Sequence, residues 1–114
     1  MTVDEGKIKT MLDLSRHLWL LEDKREKINC KIMKHNPQEL SSMQEHAANS
    51  TLCKLKNNNA ILWFAVMNPK KFDESFFEQK KQVSAHLLRE ACQHMNAYEA
   101  EANRILEKAH KSKL

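Results

Sequence analysis

Residues that end regular structure are scarce in this chain, whose 114 residues include one Gly and two Pro. Tight turns and hairpins depend on these residue types, so the shortage argues against a β-rich fold. It predicts few loops and long helices. The length suits a single domain that can bury a core, and we treat residues 1–114 as one helical-bundle domain.

Long apolar runs are also absent. The most apolar stretch, Ala60–Met67, is far shorter than the roughly 18 residues that cross a membrane. The first residues include Asp4 and Glu5 and hold no apolar segment, so we expect no secretory leader. The three cysteines are odd in number and form no CxxC pair, which favours free thiols in a reducing compartment, as packing residues or as inert thiols. These features predict a cytoplasmic protein.

Patterns typical of catalysis are missing. Gly6 is the single glycine, so no glycine-rich phosphate loop is possible. His86, Glu90 and His94 share one helical stripe with a spacing that can bind a metal, but a solvated polar face explains them equally well. We therefore expect no enzyme, no cofactor and no metal site.

Charge gives only a weak indication of the partner. The net charge is +4, and lysines gather between residues 54 and 81, where acidic residues interrupt them. A nucleic-acid interface normally shows a more concentrated basic patch, so we do not expect nucleic acid as a partner. A solvated rim around an apolar surface accounts for these lysines as well.

Apolar residues recur every three or four positions along three segments, the pattern of one buried helical seam. The segments predict helices over about 8–35, 37–67 and 74–110, with Asn36 and Asp73 as caps and a stop at Asn68-Pro69. Long helices joined by short links fold back on one another. The predicted fold is all-α, an antiparallel bundle of three long helices.

Two polar residues interrupt the seams. Arg25 would need a carboxylate such as Glu45 or Glu90 if it is buried, since an unpaired charge is costly there. Asn59 would fix the register of the helices, as one seam Asn does in coiled coils. Alternatively, a slight helix rotation takes both side chains to water.

Large apolar residues off the seams are the best indication of function. At 100° per residue, Ile61 and Phe64 point away from the bundle, whereas Trp63 lies about 60° from the seam. Such exposure indicates a binding surface. We expect one from Leu12, Trp19, Ile61, Trp63, Phe64, Met67, Phe72 and Phe76. The alternatives are that the connector folds over these residues or that two copies of the chain bury them.

Two short motifs suggest a family. Leu20-Leu21-Glu22 with Glu26 in the first helix, and Asn59-Ala60-Ile61-Leu62 in the second, resemble the pattern of FlgN-like flagellar type III export chaperones. The resemblance extends over about residues 10 to 105. It implies a cytoplasmic helical chaperone that binds an amphipathic helix of a secreted subunit and shields it, by helix-in-groove recognition.

The sequence ends in Ser112-Lys113-Leu114, which matches a peroxisomal address if the source is a eukaryote. Alternatively, the match arises by chance in a lysine-rich helix end that frays. Three hypotheses follow: a chaperone-like adaptor, a structural homodimer joined through the apolar surface, and a small peroxisomal protein that binds an apolar ligand.

Overall fold

The computed structural model describes residues 4–112, and these residues are helical apart from short connections. The elements are α1 (Glu5–His35), a 3-10 turn (Pro37–Glu39), α2 (Leu40–Gln44), α3 (Ala47–Met67) and α4 (Glu74–Ser112). The prediction of an all-α protein is confirmed. No helix among the described residues is both long and apolar enough to cross a membrane.

The long helices lie side by side in a rod of 65 × 18 × 17 Å. The amide of Asn59 in α3 donates to Ser15 of α1, and nearer the other end Arg25 of α1 donates to Asn49 of α3. Since one residue number rises as the other falls, α1 and α3 run in opposite directions. The α1–α4 ion pairs Lys7–Glu74 and Lys24–Glu99 rise together, so these two helices run the same way.

The prediction of one continuous second helix over residues 37–67 is wrong. The chain breaks between Gln44 and Ala47, and His46 adopts an extended backbone with φ −61° and ψ 144°. The Asn49 amide donates to the carbonyl oxygens of Met43 (2.9 Å) and Gln44 (3.2 Å). A side chain thus satisfies the final carbonyls of α2, which a continuous helix would bond through its backbone.

Helix starts follow local capping chemistry. The Asp73 carboxylate accepts from the Phe76 N–H at 2.9 Å, which confirms its predicted role as a cap. Asn36 makes no side-chain capping bond. It does occupy the predicted N-cap position, before the 3-10 turn, and its own N–H closes the end of α1 on the Ile32 carbonyl. The cap of α3 is the His46 ring, whose Nδ1 accepts from the Ala48 N–H at 3.0 Å.

The core has two apolar parts of unequal size. The larger lies toward the α1–α2 end and centres on twelve buried residues: Leu18, Ile28, Ile32, Met43, Ala48, Leu52, Leu55, Ala91, Met95, Tyr98, Ala102 and Ile105. The smaller lies toward the connector between α3 and α4, and its four buried members are Met11, Leu62, Val66 and Phe77. We call these the large core and the small core.

A polar layer separates the two cores. In sequence, Ser15, Asn58, Asn59 and Ser84 each fall between a residue of the small core and one of the large core on the same helix. The Asn58 amide donates to the Ser84 hydroxyl at 2.6 Å and to the Lys80 carbonyl at 2.9 Å. Asn59 donates to the Ser15 hydroxyl at 3.2 Å. The layer links all three long helices at one level.

Candidate functional site

Exposed large apolar side chains gather toward the connector end of the rod. Within residues 4–112, four of the eight lie on the connector side of the polar layer, three lie near the middle of the rod (Trp19, Leu20 and Val83), and Met33 lies toward the other end. Scattered single exposures are ordinary, but a concentration on one end of a molecule marks an interaction surface. The search for a site therefore centres on the connector end.

Three aromatic rings form a cluster around the connector. Phe72 of the connector lies 5.7 Å from the Phe64 ring of α3, edge to face, and 4.9 Å from the Phe76 ring of α4. The connector is thereby held against both helices. Phe64 stays 56% exposed while Phe72 and Phe76 are half-buried, so this contact covers the aromatic cluster only in part.

Two neighbouring residues extend the cluster along α3. Ile61 and Met67 lie three residues to either side of Phe64, a spacing that makes side chains neighbours on a helix surface. They are 43% and 56% exposed. We use the term docking surface for Ile61, Phe64, Met67, Phe72 and Phe76. It spans about 9 Å of the α3 axis, from the helical rise per residue.

Trp63 lies beside this surface but belongs largely to the interior. It packs against the small core, and its indole N–H donates to the Ser15 hydroxyl at 3.3 Å. The off-seam angle of Trp63 allowed either placement. The polar partner on α1 decides it, because a half-buried indole N–H requires an acceptor.

Leu12 and Trp19 are the other two predicted surface residues. They lie seven positions apart, so they share one stripe of α1, and they are 57% and 67% exposed. Leu20 (62%) and Val83 (39%) are also exposed, near the middle of the rod. Neither is among the residues predicted for the surface.

The partner expected for Arg25 was wrong. Its guanidinium donates to the Asn49 amide oxygen at 3.1 Å, and Glu90 instead pairs with His86 at 2.9 Å. Arg25 is half-buried, so a neutral partner and access to water replace a buried ion pair. Asn59 is buried as a seam residue should be, and its amide oxygen makes no hydrogen bond within the described residues.

A second polar cluster surrounds the break before α3. The buried Tyr98 hydroxyl donates to the Asn29 amide oxygen, and the His46 ring meets the Tyr98 ring edge to face at 5.2 Å. Burial raises the pKa of Tyr98, and hydrogen bonding from Asn49 and the charge of Arg25 oppose that rise in part. The cluster joins the break to the large core, of which Tyr98 is a member, and lies away from the docking surface.

Residues that could carry chemistry are dispersed. Within residues 4–112, no three His, Cys, Asp or Glu side chains lie close enough to hold a metal ion. The cysteines are free, as expected, but all three are exposed, so the expectation that they serve as packing residues is wrong. Of the tail motif, Lys113 and Leu114 lie outside the described residues, and so does the side chain of Ser112.

Comparison with models of protein families, with curated proteins and with solved structures found no match to the chain. The resemblance to FlgN-like export chaperones therefore stays a prediction from the two short motifs.

Proposed function

We propose that the chain is a non-enzymatic, chaperone-like binding protein that shields an amphipathic helix of a partner protein. In this proposal the three long helices act as an antiparallel bundle, and the docking surface receives the partner. The observation that carries it is the concentration of exposed large apolar side chains at the connector end. A flagellar or other secreted subunit is the partner class that the FlgN-like motifs imply, in a cytoplasmic setting.

The surface offers apolar area that a partner helix would cover. Phe64 is 56% exposed, which leaves about 110 Å² of a side chain of roughly 200 Å² for a partner to cover. At about 25 cal/mol per Å², covering that ring contributes up to about 2.8 kcal/mol. Ile61 and Met67 flank the ring and would widen the contact, as in an interface core surrounded by weaker contacts.

The test compares the wild type with Phe64→Asp and with Met33→Asp, a matched control that places the same charge at an exposed apolar position toward the other end of the rod. Each tagged chain is incubated with extract of its source, and the recovered protein is then purified. Its amphipathic segment, made as a peptide, is titrated against all three chains by calorimetry. We expect Phe64→Asp to weaken binding by up to about a hundredfold, from the covered area above, and Met33→Asp to leave it within about twofold.

The second candidate is a homodimer joined through the same surface. Sedimentation velocity of the purified chain tests it. We expect a monomer at high concentration. A dimer that Phe64→Asp dissociates would replace the partner proposal with self-association. Equal recovery and equal peptide affinity for all three chains would refute a role for the docking surface altogether.

A further inference from the structure

We infer that the helix bound at the docking surface is acidic, with Asp or Glu flanking its apolar stripe. This inference rests on the proposed function, and it specifies the chemistry of the partner. It follows from the lysines that border the docking surface. The acidic side chains nearby are already held in ion pairs or in a helix cap.

Exposed lysines border the docking surface. Residues 61–81, which include this surface, hold four Lys against three Asp or Glu. Lys70 and Lys71 are exposed and come directly before Phe72, the central ring of the aromatic cluster. The Lys80 ammonium lies 5.7 Å above the centre of the Phe76 ring, at the opposite edge of the cluster.

The acidic residues nearby already have partners. Glu74 pairs with Lys7, Glu78 pairs with Lys81 at 3.4 Å, and the Asp73 carboxylate caps α4. In contrast, no ion pair within residues 4–112 engages Lys70 or Lys71. An apolar surface bordered by unneutralised cations is complementary to an apolar stripe bordered by anions.

Other occupants fit these charges less well. In a two-fold dimer the same patch meets itself, so Lys70 and Lys71 would approach their own copies. Nucleic-acid bases stack on open aromatic faces, but here Phe72 packs against both Phe64 and Phe76.

The experiment uses three fluorescent peptides of about 18 residues, long enough for five helical turns. They share one leucine stripe and differ only in their flanks, which are Glu, Gln or Lys. Fluorescence anisotropy measures the affinity of each for the full chain. We expect the Glu peptide to bind about tenfold more tightly than the Lys peptide at low salt, with a gap that narrows as salt screens the charges.

Charge reversal locates the effect. The double variant Lys70→Glu/Lys71→Glu should reverse the order of the Glu and Lys peptides. The control, Lys34→Glu/Lys108→Glu, makes the same change in net charge at exposed positions toward the opposite end of the rod and should keep the wild-type order. If the control also reverses the order, the net charge of the chain is responsible, and the assignment to the docking surface is overturned.

Two further outcomes separate this inference from the proposed function. If Phe64→Asp and Met67→Asp weaken all three peptides while the wild type shows no preference for Glu flanks, the docking surface stands and the acidic partner is overturned. If neither substitution affects any peptide, or no peptide binds, both fail. A third outcome concerns membranes. If the chain sediments with vesicles containing about one-third anionic lipid, and substitutions at Phe64 and Lys70 abolish this, the inference is overturned in favour of a bilayer.

Discussion

Replacing Asn58 by Ala should destabilise the fold more than replacing any exposed polar residue of α3. Asn58 is 7% exposed, and its amide donates to the Ser84 hydroxyl at 2.6 Å and to the Lys80 carbonyl at 2.9 Å. Losing two such bonds costs about 1 kcal/mol each, and the space left in the interior adds to this. We expect a loss of about 2–3 kcal/mol in the free energy of unfolding.

Urea denaturation followed by circular dichroism at 25 °C measures this loss. In thermal melts it should appear as a decrease of about 8–15 °C in Tm, from the scaling for small domains. Asn57→Ala is the matched control, since it makes the same substitution one position along at an exposed site. It should change the free energy of unfolding by less than about 0.5 kcal/mol.

A double-mutant cycle identifies the partner. Asn58→Ala combined with Ser84→Ala should cost about 1 kcal/mol less than the sum of the single variants, because both singles remove the same hydrogen bond. An Asn58→Ala variant as stable as Asn57→Ala would refute the assignment of a stabilising polar layer. Additive losses in the cycle would show that Asn58 acts without Ser84.

Two further predictions concern the cluster around the break before α3. Burial raises the pKa of Tyr98, so its contribution to stability is full below the ordinary pKa of tyrosine and is lost as pH rises above it. Wild-type stability should therefore fall above about pH 10 more steeply than that of Tyr98→Phe, and tyrosinate absorbance of this single tyrosine follows the ionisation. His46→Ala should cost about 1–2 kcal/mol in urea denaturation by removing the α3 cap, and His46→Asp should recover about half, since a carboxylate also caps; equal losses for both would mean that only the ring packing matters.

Much of the fold could be read from periodicity. The seam of α4, from Phe77 through Met95 to Ile105, predicts the buried face of this helix. The capping residue Asp73 predicts where the helix begins. The break at His46 could not be found this way. It contains neither Gly nor Pro, and it depends on Asn49 bonding two carbonyls and accepting from Arg25 on another helix. Such tertiary contacts leave no local signal.

The candidate site was predictable to the level of helix faces. The angular position of Phe64 marked it as exposed, and the structure leaves it 56% exposed. Its contact with Phe72 depends on the path of the connector, which no periodic pattern describes. Asn58 was missed because it lies beside the seam, where an Asn normally reaches water. Its burial arises from close approach of α4 at Ser84.

The unequal division of the core has a consequence for local opening. The docking surface lies at the same end of the rod as the small core, for which four buried residues are described, against twelve for the large core. With the polar layer between them, the connector end can open as its own cooperative unit at a lower free energy than global unfolding. Amide hydrogen exchange should then be faster for residues 61–67 than for residues 91–105. A partner helix covering the docking surface would slow exchange at this end first, so the end that binds is also the end that binding would protect.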